Sequence, residues 1–308
     1  MAVRLSTARL AAAVAEAGGV GVIAGTAMAE SELRAEIREA RRLGSGILGV
    51  NIMYAARQFA PLARAAMEEG IDVFISGAGF SRDMFGWGLE FGVPVVPIVG
   101  TAKLARLSQG LGAAAVIVEG VEAGGHLGTD RPTFELLPEI REAVTIPVIA
   151  AGGMIDASDI ARAFDLGADG VQLGILFAAT CEANGHDLLK QVYLRARRED
   201  VILIESPVGL PGRAIRNPFT DALAAGTLPP VEKCDGCLKR CSRTFCIRLA
   251  LCRAQEGDVV DGLIFSGGEV ERIVEIKPAG MVVEELMAGL RALRGASGEP
   301  RPHEEETV

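Results

Sequence analysis

The sequence predicts an α/β fold of parallel β/α units closed into a TIM-type (β/α)8 barrel, and three observations carry that prediction. Short, nearly continuous apolar runs alternate with amphipathic, charged segments, the pattern of strands covered on both faces by helices. The chain is 49% hydrophobic with a mean hydropathy of +0.31 but only 5% aromatic, so its core must be built from Ala, Val, Ile and Leu. Its 38 glycines suit the turns of repeated β/α units better than a β-sandwich.

The expected strands are Val20–Ala24, Ile47–Ile52, Val73–Ser76, Val95–Val99, Ala115–Glu119, Val148–Ala151 and Gly170–Gly174. Between them, segments such as Glu32–Leu43 and Ser158–Leu166 show helical spacing with charged faces. Gly-Ala-Asp-Gly at 167–170 stops one helix and feeds the next strand. A closed barrel of this type has eight strands, and seven are countable. Ser6–Ala17 reads as a helix with almost nothing before it. Either the first strand is missing or it belongs to residues upstream of Met1; an open doubly wound sheet is the structural alternative.

Beyond the strands, Ala183–Arg198 reads as a long amphipathic helix and Val282–Arg294 as another. Glu205–Pro230, rich in Pro and Gly, is expected to be irregular and packed on the barrel. The domain reading is a barrel over 1–220, a cysteine-containing C-terminal segment over 221–294 packed on it, and a polar, disordered tail over 295–308.

Composition excludes several function classes. The formal net charge is −9, so no basic excess exists to displace counterions from a nucleic acid. No apolar run reaches the roughly 18 residues that span a bilayer, and Met1–Ser6 carries no signal-peptide pattern. A cytoplasmic location is therefore expected. The six cysteines are then thiols or metal ligands rather than a disulfide frame.

The densest chemical signal is Glu119-Gly-Val-Glu-Ala-Gly-Gly-His-Leu-Gly128, directly after a predicted strand. Loops at the C-terminal strand ends build the active site of a β/α barrel. Glycines there allow close backbone approach to a flat ring or phosphate, and His126 can serve as a general base near neutral pH. A structural histidine bonded to a carbonyl is the alternative. Ala150-Ala-Gly-Gly-Met-Ile-Asp156 and Gln172-Leu-Gly-Ile175 follow the last two strands. Amides of Gly152, Gly153 and Gly174 are placed to hold a phosphate there, while Asp156 reads as a helix N-cap. Asn51 ends a strand and can bond a cofactor edge, a substrate or its own turn.

The cysteines form a second signal, Cys234-x2-Cys237-x3-Cys241-x4-Cys246-x5-Cys252. This density points to zinc or an iron–sulfur cluster. Cys237 and Cys241 share a face if the segment is helical. Cys246 and Cys252 also sit in an apolar stretch where cysteine acts as a small hydrophobe. Cys181 stands apart and is expected beneath the last barrel helix.

Together the three glycine-bearing motifs, with Leu10-Ala-Ala-Ala-Val-Ala-Glu-Ala-Gly-Gly-Val-Gly-Val-Ile23 and Gly49-Val-Asn51, resemble the nitronate monooxygenase (2-nitropropane dioxygenase) family. That family includes flavin-dependent enoyl-acyl-carrier-protein reductases of type II. The resemblance spans residues 5–220 and five motifs in the family's order. It implies a TIM barrel binding FMN through Asn51, Glu119, Gly124, Gly152, Gly153, Gln172, Leu173, Gly174 and Ile175, with His126 as the active-site histidine. The implied activity is FMN-dependent oxidation of alkyl nitronates, a small-molecule substrate. The alternatives are an NAD(P)H-dependent enoyl-thioester reductase and a flavin/iron–sulfur electron-transfer module. Position 119 is often Gln in the monooxygenases, so Glu119 leans toward the reductases. Ile175 replaces the family's usual Thr and removes a hydroxyl, although its backbone amide remains. Best-known members lack the five-cysteine segment, which resembles that of members from anaerobic bacteria. Members open with a strand and a Gly-Gly-Met-like loop at FMN. Met1 falls at that loop, which places the expected first strand upstream.

Overall fold

The protein is described by a computed structural model covering residues 3–297. Helices and strands alternate from the start. Helix α1 (Ala8–Glu16) precedes β1 (Gly21–Ala24), and α2 (Glu30–Leu43) precedes β2 (Leu48–Met53). Next come α3 (Phe59–Glu68), β3 (Val73–Gly77), α4 (Asp83–Phe91), β4 (Val95–Val99), α5 (Ala102–Gly110) and β5 (Val116–Glu119). The loop after β5 carries a two-residue strand, β6 (Gly125–His126), before α6 (Thr133–Ala143). β7 (Val148–Ala151), α7 (Ala157–Asp165) and β8 (Gly170–Gln172) complete the repeat. All seven expected strands are present and form one parallel sheet, in the order β1-β2-β3-β4-β5-β7-β8. The sheet curls as a TIM-type barrel does.

Strand alternation explains the layers, because successive side chains point to opposite faces. Outward-facing Val50, Ile52 and Phe74 pack with Leu33 and Ile37 of α2 and Leu62 of α3. Val116, Val118 and Val148 meet Leu136, Leu137 and Ile140 of α6 in the same way. The other face, with Ile75, Val96, Ile117 and Ala151, fills the barrel interior. Each fully buried Ile, Val or Leu contributes roughly 1.5–3 kcal/mol. The register pairs Asn51 with Ile75, Glu119 with Ala151, and Ala151 with Gln172. Asn51, Glu119 and Gln172 therefore belong to the inward-facing set, at the C-terminal end of the sheet.

No strand among the described residues joins β1 to β8. The free edge of β1 is partly satisfied by Ser6, whose hydroxyl donates to the Val22 carbonyl at 2.5 Å. The Ser6 carbonyl accepts the Ala24 amide at 2.9 Å.

Past β8 the structure departs from the sequence reading. A single turn, α8 (Ile175–Ala178), comes first, and α9 starts only at Asp187 and ends at Arg195. Asn184-Gly185 is a poor helix opening, and the His186 ring caps α9 by accepting the Leu188 amide at 3.1 Å. Cys181 is exposed in this stretch, not packed beneath a helix. Glu205–Pro230 is largely ordered rather than irregular. β9 (Val201–Glu205) and β10 (Pro211–Ile215) form an antiparallel hairpin, and β10 also pairs with β6. Helix α10 (Pro218–Ala224) follows, its Asn217 cap accepting the Thr220 amide at 3.0 Å. Cys237 and Cys241 lie outside any helix; the next one is α11 (Ile247–Gln255). Finally α12 (Ala279–Ser297) packs against α1 and α7, on the side where β1 and β8 remain unjoined. It runs through the first residues of the expected tail, and 298–308 lie outside the described residues. No helix among the described residues is long and apolar enough to cross a membrane.

Candidate active site

The three inward-facing strand ends meet a set of polar groups that the protein itself leaves unpaired. Asn51 is only 6% exposed, and among the described residues no hydrogen bond takes up its side-chain amide. Glu119 and Gln172 are likewise without side-chain hydrogen bonds and keep partial solvent access. Desolvation raises the Glu119 carboxyl to about 7. It is therefore largely protonated below neutrality and can donate a hydrogen bond, as a glutamine would.

The phosphate-type loops have matching free donors. Gly152 and Gly153 adopt φ of +98° and +74°, left-handed conformations that favour glycine. The amides of Gly152, Gly153 and Gly174 donate to no backbone acceptor among the described residues. Gly174 is exposed, and a Cβ there would meet open space. The start of α7 is already occupied: Asp156 accepts the Ser158 and Asp159 amides at 2.9 and 3.1 Å. Arg272 bridges Asp156 and Asp159 at 2.5 and 2.9 Å. Asp156 is thus the N-cap the sequence suggests. Leu173 packs into the outer apolar cluster and Ile175 into a C-terminal one, so their backbones, not their side chains, are available to a phosphate.

His126 is held by elements far away in sequence. β6 pairs with β10, matching His126 to Gly212 and Gly125 to Arg213. The His126 Nε2 lies 2.8 Å from the Ser206 hydroxyl, a residue 80 positions away. Its ring meets Phe265 edge-on at 5.2 Å. Burial pulls the imidazole down to about 4, so it is neutral at physiological pH, with a free lone pair of weakened basicity. Ser206 also accepts the Val208 amide at 3.3 Å. When Ser206 accepts the Nε2 proton as well, Nδ1 carries the free lone pair.

Glu122 and Arg213, which the sequence reading did not single out, brace this loop. The Glu122 carboxylate accepts the Thr133 amide at 3.0 Å, and its carbonyl accepts the Gly268 amide at 2.8 Å. Arg213 donates to the Val121 carbonyl at 2.6 and 3.0 Å. Gly124 is glycine for a protein reason, because a Cβ there would lie 2.8 Å from the Ser266 carbonyl carbon.

The chain matches a known family over nearly its whole described length. The nitronate monooxygenase family matches residues 1–76 and 66–289. The chain belongs to that family. A Mycobacterium tuberculosis relative, (3aS,4S,5R,7aS)-5-hydroxy-7a-methyl-1-oxo-octahydro-1H-indene-4-carboxyl-CoA dehydrogenase, is 35% identical over 71% of this chain and 62% of its own length. The chain thus spans about three-fifths of that relative, and 61% of its Rhodococcus jostii counterpart. A probable nitronate monooxygenase of Staphylococcus haemolyticus is 29% identical over 73% of this chain and 76% of its own. Among solved structures, FabK from Thermotoga maritima superposes with a TM-score of 0.83 at 32% identity, covering 94% of this chain and 92% of that one. A nitroalkane oxidase from Streptomyces ansochromogenes gives 0.82 at 27% identity, covering 97% and 96%. Both likenesses support the TIM-type barrel.

Proposed function

We propose that this family member is an FMN-dependent oxidoreductase, working in the cytoplasm, that oxidises alkyl nitronates. One observation carries the reading: unpaired side chains at Asn51, Glu119 and Gln172, and free amides at Gly152, Gly153 and Gly174, lie at the C-terminal ends of β2, β5, β7 and β8 of one barrel sheet. A flat heterocycle with a polar edge and a phosphate would satisfy that set, so the residues fit FMN. Bound there, FMN supplies the electron acceptor. The amides of Asn51 and Gln172 and the protonated Glu119 would hold the ring edge, and the glycine amides the phosphate. Gly124, together with the backbones of Leu173 and Ile175, would frame that pocket. His126, neutral and braced by Ser206 and Phe265, accepts the α-proton of a nitroalkane.

A nitronate has already lost that proton, which gives the test. Anaerobic mixing with propyl-2-nitronate should change the flavin spectrum in both the wild type and His126→Ala. With the parent nitroalkane, His126→Ala should react about 100-fold more slowly. An oxidised flavin that ignores the nitronate would overturn the reading.

A second reading, an NAD(P)H-dependent enoyl-thioester reductase, is favoured by Glu119 and by the likeness to FabK. Rapid bleaching by NADH or NADPH, without any response to nitronate, would select it.

A further inference from the structure

The barrel site leaves the cysteine segment unexplained. Of the five cysteines between 234 and 252, four line one cavity: Cys234, Cys237, Cys241 and Cys246. Cys252 does not line it, and lies on α11 against an apolar cluster. No α-helix or long strand runs through the four-cysteine stretch. The barrel holds it by backbone contacts instead. The Arg57 amide donates to the Cys237 carbonyl at 2.8 Å, and the Lys239 amide to Ala55 at 2.9 Å. Between Cys234 and Cys237, Gly236 takes φ of +60°, a turn that lets both thiols reach the same cavity.

Charge points the same way. Between 233 and 248 stand five basic residues, Lys233, Lys239, Arg240, Arg243 and Arg248, and one acidic residue, Asp235, in a chain whose formal net charge is −9. Asp235 is itself paired with Arg248. Four thiolates around Zn²⁺, or around a [4Fe–4S]²⁺ core, leave a net charge of −2, opposite in sign to this basic segment, of which Arg243 lines the cavity itself.

We propose that Cys234, Cys237, Cys241 and Cys246 are a tetrathiolate metal site beside the barrel mouth. Loading with zinc is a ligand exchange without redox change: four thiols release four protons and form four Zn–S bonds. A preassembled cluster binds by the same four deprotonations. No three His, Cys, Asp or Glu side chains among the described residues come close enough to hold a single ion. The four cysteines share the wall of one cavity. The site adjoins the barrel through Leu238 and Phe245, which share an apolar cluster with Phe265, the ring against His126. Metal binding here does not depend on the flavin reading, and either can fail alone.

The test is metal and acid-labile sulfide analysis of the full chain purified anaerobically. About four iron and four sulfide per chain identify the cluster, and about one zinc without sulfide identifies the mononuclear form; both support the site. Cys237→Ser and Cys241→Ser should each lower the metal content roughly tenfold or more, whereas Cys252→Ser keeps it. Should those variants misfold, the wild type is treated with chelator. Its melting temperature should fall and recover on reconstitution. The proposal is overturned by protein that stays metal-free after reconstitution with iron and sulfide or with zinc. It is equally overturned by a disulfide between two of the four in anaerobically purified protein, or by equal metal loss in Cys252→Ser.

Discussion

Glu119 and His126 sit seven residues apart, and burial moves both toward the neutral form by opposite shifts. Glu119 is raised to about 7, so the folded protein keeps a proton that the unfolded chain releases near 4.5. Its contribution to stability is complete below about pH 4.5 and is lost as pH rises toward 7. His126 is lowered to about 4 against an unfolded value near 6.5. The fold therefore loses stability as pH falls from 6.5 to 4, where the unfolded chain takes up the proton first. Glu119→Gln removes the first effect alone. The variant should match wild type at pH 4.5 and exceed it at pH 8 by up to about 3 kcal/mol. Urea unfolding at the two pH values measures this; a Gln variant less stable than wild type at pH 8 would contradict the desolvated-carboxyl account. The Glu at 119 was plain in the sequence. Its near-neutral pKa was not, because desolvation depends on what other strands and loops bring around the carboxyl.

At the scale of elements, loops with the same composition do different work. Gly152 is left-handed, with a Cβ position 3.0 Å from the Thr133 hydroxyl. Gly174 has φ of −116° and open space beside it. Gly152→Ala should cost about 1–3 kcal/mol of stability. Gly174→Ala should leave the melting temperature nearly unchanged yet weaken flavin retention, because its only close neighbour would be the bound phosphate. Thermal melts and flavin content after dialysis separate the two outcomes. If Gly174→Ala keeps full flavin, the phosphate lies elsewhere. The seven barrel strands were legible to within two residues, because a parallel strand buried on both faces is a continuous apolar run. β9 carries the same signal in Val201-Ile-Leu-Ile204, whereas Pro207, Gly209 and Pro211 give its partner the composition of a loop. The two-residue β6 is too short to leave any periodicity.

Over the whole molecule, α12 lies across the side where β1 and β8 do not pair, packing on α1 and α7. A cluster of Leu10, Ala183 and Ala279 forms where α12 begins, and Gly289 permits close approach, since a Cβ there would lie 2.8 Å from that of Ala157. Truncation after Pro278 uncovers the α1 and α7 faces. It should lower the melting temperature by several degrees, at roughly 2 °C per kcal/mol lost for a domain of this size. A truncated chain melting with the full one would show that α12 is dispensable to the barrel.

The sequence by itself determined the parallel β/α layering, the strand ends that carry Asn51, Glu119 and Gln172, and the glycine loops after β7 and β8. Each follows from local periodicity or from turn chemistry. Only the tertiary structure decided that His126 stands in a strand against Gly212, bonded to Ser206 and facing Phe265. It also decided that four of the five clustered cysteines share one cavity. Those meetings join segments far apart along the chain through packing and strand pairing, which leave no repeat in the residues that make them.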